Sequence, residues 1–126
     1  ARAFHARVSA VHCFRSANYL VSAWPEYPDF GSVYALDEVR AASEQVFQKE
    51  MTDFDWRGVP HDVAFHEGDP AELILELSSA ADLVVMGTHG RTGFASVLLG
   101  NVAYSVLKRC EKPVLALRHP ERAFSS

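Results

Sequence analysis

The chain has 126 residues, 48% of them hydrophobic and 22% charged, with a formal net charge of −4. That balance suits a single globular domain over residues 1–126 with enough apolar material for a core, and it excludes a disordered chain. The acidic surplus and the absence of any basic run exclude an electrostatic nucleic-acid binder. Cys13 and Cys110 lie far apart with no CxxC spacing, which indicates neither a disulfide scaffold nor a zinc site.

ARAFHA at the start reads as the last turns of a helix, and VSAVHCF, Val8 to Phe14, as a buried strand. RSANYLVSAWPEYPDFGS, Arg15 to Ser32, holds Pro25, Pro28 and Gly31 among aromatics and reads as a long surface loop, with no partner assigned to Tyr19 to Phe30. Val33, Leu36, Val39, Val46, Phe47 and Met51 recur at helical spacing, predicting an amphipathic helix. DVAFHEG is a short strand. In GDPAELILELSSA, Asp69 is placed as an N-cap and Pro70 at the first helical position, with Leu73, Ile74 and Leu77 on one face. ADLVVMG is a continuous apolar run of the kind found in parallel strands covered on both faces. FASVLLGNVAYSVLKRC reads as helix and KPVLALR as a last strand opened by Pro113.

Strands alternating with helices predict a doubly wound parallel α/β sheet with helices on both faces. Ligands of such sheets bind outside the carboxyl ends of the strands, and GTHG follows directly on DLVVM. Gly87, Gly90 and Gly93 match neither the dinucleotide fingerprint nor the Walker A pattern. Two readings stand: a tight strand-to-helix turn, or a cradle where backbone approaches an oxyanion and the next helix offers its unpaired N–H groups. Glycine inside a helix costs roughly 1 kcal/mol relative to alanine, so Gly100 points to a second helix start or to close backbone approach. A helix beginning there places Asn101 against the same ligand.

DLVVMGTHGRTGFASVLLGNVAYSVLKRCEKPVLALR resembles the C-terminal half of the universal stress protein family, whose nucleotide-binding members carry G-x2-G-x9-G-(S/T) after an apolar strand. Gly87, Gly90 and Gly100 match that spacing, and VSAVHCF and GDPAELILELSSAADLVV fit the family's more general pattern. The resemblance implies a flat, doubly wound, Rossmann-like fold that dimerises through its last strand, and ATP or a related adenine nucleotide bound with its phosphates on the glycine loop. Carried over by position, Met86, Gly87, His89, Gly90 and Gly100 contact the nucleotide, with Val102 nearby. Cys13, at the end of the early strand, resembles the apolar residue beside the adenine.

Two departures accompany the resemblance. Asn101 stands where the family has Ser or Thr; its amide donates to phosphate but is bulkier than a hydroxyl, and loss of one charge-assisted bond is worth about 1.5–3 kcal/mol. Family members also begin with an apolar central strand ending in an acidic residue, and this sequence starts at what reads as the following helix. The expectation is that the central strand lies upstream of Ala1 or is replaced, either by YLVSAW or by a strand from another subunit.

Among individual residues, His89 between two glycines is placed to donate to phosphate, and Arg91 either neutralises phosphate charge or is solvated. His12 reads as a core histidine. His61 and His66 fall on opposite faces of one strand, so a shared metal is not expected. No Ser/His/Asp or Cys/His arrangement and no P-loop lysine is identifiable, so no catalytic residue is assigned. Hydrolysis would need a positioned water and a magnesium ion. The expected function is a cytoplasmic stress-response or regulatory module that binds ATP and forms a homodimer through the Val114–Leu117 edge, with no nucleic-acid or membrane partner. A non-nucleotide-binding interaction protein of the same family and a slow ATPase are the alternatives.

Overall fold

The computed structural model describes residues 1–15, 33–88 and 99–118, with the side chains of the first helix described from residue 37. The RSANYLVSAWPEYPDFGS loop after Arg15, the YLVSAW segment and the residues from His89 to Leu98 lie outside the described residues. The chain forms two compact units, Ala1–Asp69 and Pro70–Ser126.

The first unit opens with a short 3-10 turn at Arg2–Phe4, closed by His5 in the left-handed region, where a longer helix end was expected. Strand β1, Val8–Phe14, pairs in parallel with strand β2, His61–Glu67, from Val8 opposite His61 to Phe14 opposite Glu67. Helix α1, Val33–Asp53, connects them, as a parallel pair requires. Its last turn is closed locally: the Trp56 indole N–H donates to the Met51 carbonyl at 3.0 Å and the Phe54 N–H to the Glu50 carbonyl at 3.0 Å.

The α1 face that meets the sheet differs from the expected one. Phe47 meets His12 with ring centroids 5.3 Å apart, and Arg40 sits 5.7 Å above the Phe65 ring. Ser43 is buried between them in sequence, so the inward stripe runs through 40, 43 and 47. Val39 and Val46 are 55% and 56% exposed. They lie one position before that stripe, about 100° around the helix. Sequence hydrophobicity pointed to them because aromatic rings on the strands take the place of aliphatic packing: His12 stacks on Phe65, its neighbour across the ladder, at 5.3 Å and 13°, and Phe14 lies 6.0 Å from Phe65.

In the second unit, helix α2, Pro70–Ser78, begins at its proline as expected. Strand β3, Val84–Gly87, pairs in parallel with strand β4, Val114–Leu117, Val84 opposite Val114 and Gly87 opposite Leu117. Helix α3 spans Asn101–Arg109, so Leu99 and Gly100 are outside the helix that the sequence extended back to Phe94. The described strands thus form two parallel pairs, β1–β2 and β3–β4. Helices α2 and α3 are clamped by a two-pronged contact, Arg109 Nη1 to Glu72 Oε1 at 2.5 Å and Nη2 to Oε2 at 3.2 Å. Fork-to-fork pairing of this kind fixes helix orientation more than a lysine would.

Ala103 and Val106 are the buried apolar residues of α3, Val106 at 0% exposure. Removing a fully buried valine side chain forfeits about 1.5–3 kcal/mol of burial. Val106→Ala is expected to lower urea unfolding stability by roughly that amount, and Val46→Ala on the exposed flank of α1 by less than about 0.5 kcal/mol. Equal losses in the two variants would contradict this placement of the core.

Candidate functional site

The carboxyl end of β3 is where the sequence places a ligand, and the backbone there is tied in a specific way. Met86 is half-buried and Gly87 exposed at the strand's last positions. The next residue, Thr88, is buried; its N–H donates to the Leu117 carbonyl at 2.9 Å, and its own carbonyl accepts from the Gly100 N–H at 2.6 Å. One residue therefore joins the end of β3, the end of β4 and the start of α3. Gly87 and Gly100, far apart in sequence, are drawn to one place.

Gly100 is the N-cap of α3, extended at φ −69° and ψ 158°, with no side-chain cap bond. Its carbonyl accepts the first intrahelical bond, from Tyr104 N–H at 2.9 Å. A glycine cap has no oxygen to offer the N–H groups of Asn101, Val102 and Ala103, which carry the positive end of the helix dipole, about half an elementary charge. Such an end suits an oxyanion, and the absent Cβ at Gly100 lets it approach. Asn101 is exposed at the first helical position and Val102 half-buried beside it. The donor set of these residues fits a phosphate group. His89, Gly90 and Arg91 fall outside the described residues.

Cys13 belongs to the other unit, near the carboxyl end of β1 and opposite His66 in the ladder. It is half-buried, and burial first, then the negative charge of Asp69, push its thiol above the ordinary range. The neutral thiol at physiological pH behaves as a small apolar surface. The carboxyl edge here is closed by Gly68 N–H donating to Phe14 at 2.8 Å, and Arg40 lies with Nε 2.9 Å from Glu67 Oε2. That Nε makes an ion pair without a well-directed hydrogen bond. Glu67 is thus a paired carboxylate at the end of β2. Among the described residues no group of three or more His, Cys, Asp or Glu side chains is arranged to hold a metal ion.

Sequence reasoning missed Thr88. Its signal is positional: a small hydrogen-bonding residue directly after an apolar strand, before the loop glycines.

Comparison with known proteins agrees with the arrangement. The model of the universal stress protein family matches residues 1–118. Universal stress protein MJ0531 of Methanocaldococcus jannaschii is 34% identical over 126 aligned positions, which take in 97% of this chain and 71% of that one. Universal stress protein Mb2019 of Mycobacterium bovis is 39% identical over 70 residues, 52% of this chain but 22% of the relative's length. Among solved structures, hypothetical protein MJ0577, the subject of a structure-based assignment of biochemical function, superposes with a TM-score of 0.63 at 25% identity, covering 90% of this chain and 76% of its own. No helix among the described residues is long and apolar enough to cross a membrane.

The environment of Cys13 sets its reactivity. In a Cys110→Ser background at pH 8, iodoacetamide is expected to alkylate Cys13 several-fold more slowly in the folded chain than in urea. Asp69→Asn removes a charge that opposes thiolate formation, so it accelerates the folded-state reaction. A rate unchanged by Asp69→Asn would show that Asp69 does not act on the thiol.

Proposed function

The chain belongs to the universal stress protein family, and on that premise we propose that it binds ATP or a related adenine nucleotide at the carboxyl edge of β3 and acts as a stress-response or regulatory module. The observation that carries this reading is the Gly100 N–H to Thr88 carbonyl bond, which sets an uncapped helix start beside the end of an apolar strand. Phosphates are bound in this reading by the N–H groups at the start of α3 and by the backbone of the Gly87–Gly90 turn. His89 and Arg91 add donors, and Met86 and Val102 flank the glycines. Cys13 is assigned to the adenine side as a neutral, apolar contact. The nucleotide supplies a polyphosphate chain for these donors, with magnesium as its counterion. No general base is assigned, so binding rather than efficient turnover is the expected role.

Calorimetric titration with ATP and magnesium tests this directly: saturable heat and a thermal upshift are expected, and neither at millimolar nucleotide would favour a non-nucleotide-binding interaction protein. Asn101→Ser restores a compact hydroxyl at the helix start and is expected to tighten binding by about one decade, the equivalent of one charge-assisted hydrogen bond.

A homodimer through β4 is the second part of the proposal. Among the described residues β4 pairs on one side only, and Leu115 and Leu117 are 48% and 52% exposed on one face of its sheet. Unpaired apolar edges are usually covered, and pairing with a second copy covers both at once. Leu115→Glu with Leu117→Glu is expected to halve the mass measured by light scattering. An unchanged mass would remove this interface.

A further inference from the structure

The carboxyl end of the β1–β2 pair holds a side chain that the fold leaves unused. Cys13 and His66 are partners in the ladder, so their side chains leave the sheet side by side on one face. Side chains alternate along a strand, and His12 and Phe65 give the other face to Phe47 and Arg40 of α1. Cys13 and His66 therefore stand on the face away from α1, with Val11 and Ala64 one step behind them.

Other histidines of this unit are engaged by the protein itself. His12 lies against Phe47 and Phe65, and His61 stacks on Trp56 at 3.9 Å with its Nδ1 2.9 Å from the Val59 carbonyl. His66 is half-buried, yet no hydrogen bond, ion pair or ring contact ties its imidazole to another described residue. A neutral imidazole carries one N–H donor and one acceptor nitrogen, and partly buried polar groups of this kind are normally paired.

The surroundings leave room beside that ring. Cys13 and Ala64 are small, and the residue that follows Glu67 is Gly68, which has no side chain to screen the imidazole. Gly68 turns the chain at φ 148° while its N–H donates to the Phe14 carbonyl at 2.8 Å. The turn brings Asp69 back close enough for its negative charge to act on the Cys13 thiol. A free imidazole, a small thiol and a nearby fixed negative charge thus meet at the strand ends.

We propose that His66 is the residue that selects the base of the bound nucleotide: one ring nitrogen accepts a hydrogen bond from the exocyclic amino group at the six-position of adenine while Cys13 packs against the ring. The inference rests on the nucleotide reading above, which puts Cys13 on the adenine side, and adds to it the atom that is read. A histidine alone is a weak selector, because its tautomers let the same nitrogen accept or donate. Asp69 decides between them: its negative charge favours an amino group there and opposes the carbonyl oxygen that hypoxanthine and guanine carry at that position.

The test is calorimetric titration of the chain with ATP, inosine triphosphate and inorganic tripolyphosphate, each with magnesium. Inosine triphosphate differs from ATP only in carrying an oxo group and a ring N–H in place of the amino group and bare ring nitrogen. ATP is expected to bind about tenfold more tightly than inosine triphosphate. His66→Phe keeps a ring but removes both nitrogens; it is expected to weaken ATP about tenfold and leave the other two ligands within about twofold, so the preference disappears. His66→Gln supplies an amide oxygen as acceptor and recovers part of the preference, and Asp69→Asn, which keeps a helix-capping side chain, tightens inosine triphosphate several-fold. ATP and inosine triphosphate binding alike to the unaltered chain, or a preference that survives His66→Phe, would overturn the role of His66 and leave nucleotide binding standing. An equal loss of all three ligands in His66→Phe overturns it in favour of a structural role. No heat from any of the three with the unaltered chain overturns the nucleotide reading and this inference together.

Discussion

Thr88 is the point on which the second unit turns. Its two backbone groups are used in different directions, the N–H to the last residue of β4 and the carbonyl to the N-cap of α3. A buried residue has little freedom to leave such groups unpaired, because each unmade bond costs about 1–3 kcal/mol. The loop that leaves β3 is therefore obliged to return to the same strand end before α3 begins. That closure makes the helix start and the strand end one site. It also sets the β3–β4 register that puts Val84, Met86, Val114 and Ala116 on the more buried face and Val85, Leu115 and Leu117 on the more exposed one.

The first unit is organised by aromatic packing. An isolated two-stranded sheet is marginal in water, and β1–β2 gains its support from α1 through His12, Phe47, Phe65 and Phe14. Arg40 serves both sides of this contact, lying over the Phe65 ring and beside the Glu67 carboxylate at the strand end. Its stem covers apolar surface while its head stays near water. The other ion pairs, Arg7 with Asp62 and Lys49 with Asp53, are exposed and contribute little to stability. At Asp62 the Ser9 hydroxyl, then Arg7, hold the carboxyl below its usual range, which marks local ordering at the start of the strands.

Chemical character differs along β1. Its carboxyl end carries Cys13, a neutral thiol opposite His66, and its amino end meets an aromatic groove edged by arginines. The parallel β1–β2 pair brings both strand starts to one end and both strand ends to the other, so one pairing separates two kinds of surface.

The parallel α/β class, the limits of β1, the existence of β2, the start of α2 at Pro70 and the helix start beside Gly100 were legible because they rest on local signals: apolar runs, a proline at a helix start, glycine spacing. Other features depended on what lies across the fold. Of the two readings the sequence left at Gly100, a second helix start or close backbone approach, helix α3 takes the first, beginning at Asn101 with Gly100 held by Thr88. Val39 and Val46 face outward because Phe65 and His12 claim the inward stripe of α1 for Arg40, Ser43 and Phe47. Likewise the WRGV turn carries no motif, and Trp56 is fixed only when His61 stacks on it and Met51 accepts its indole N–H. By itself, then, the sequence determined which segments form strands and helices and which glycines punctuate them. Tertiary structure decided which face α1 buries, since that outcome depends on partners far along the chain.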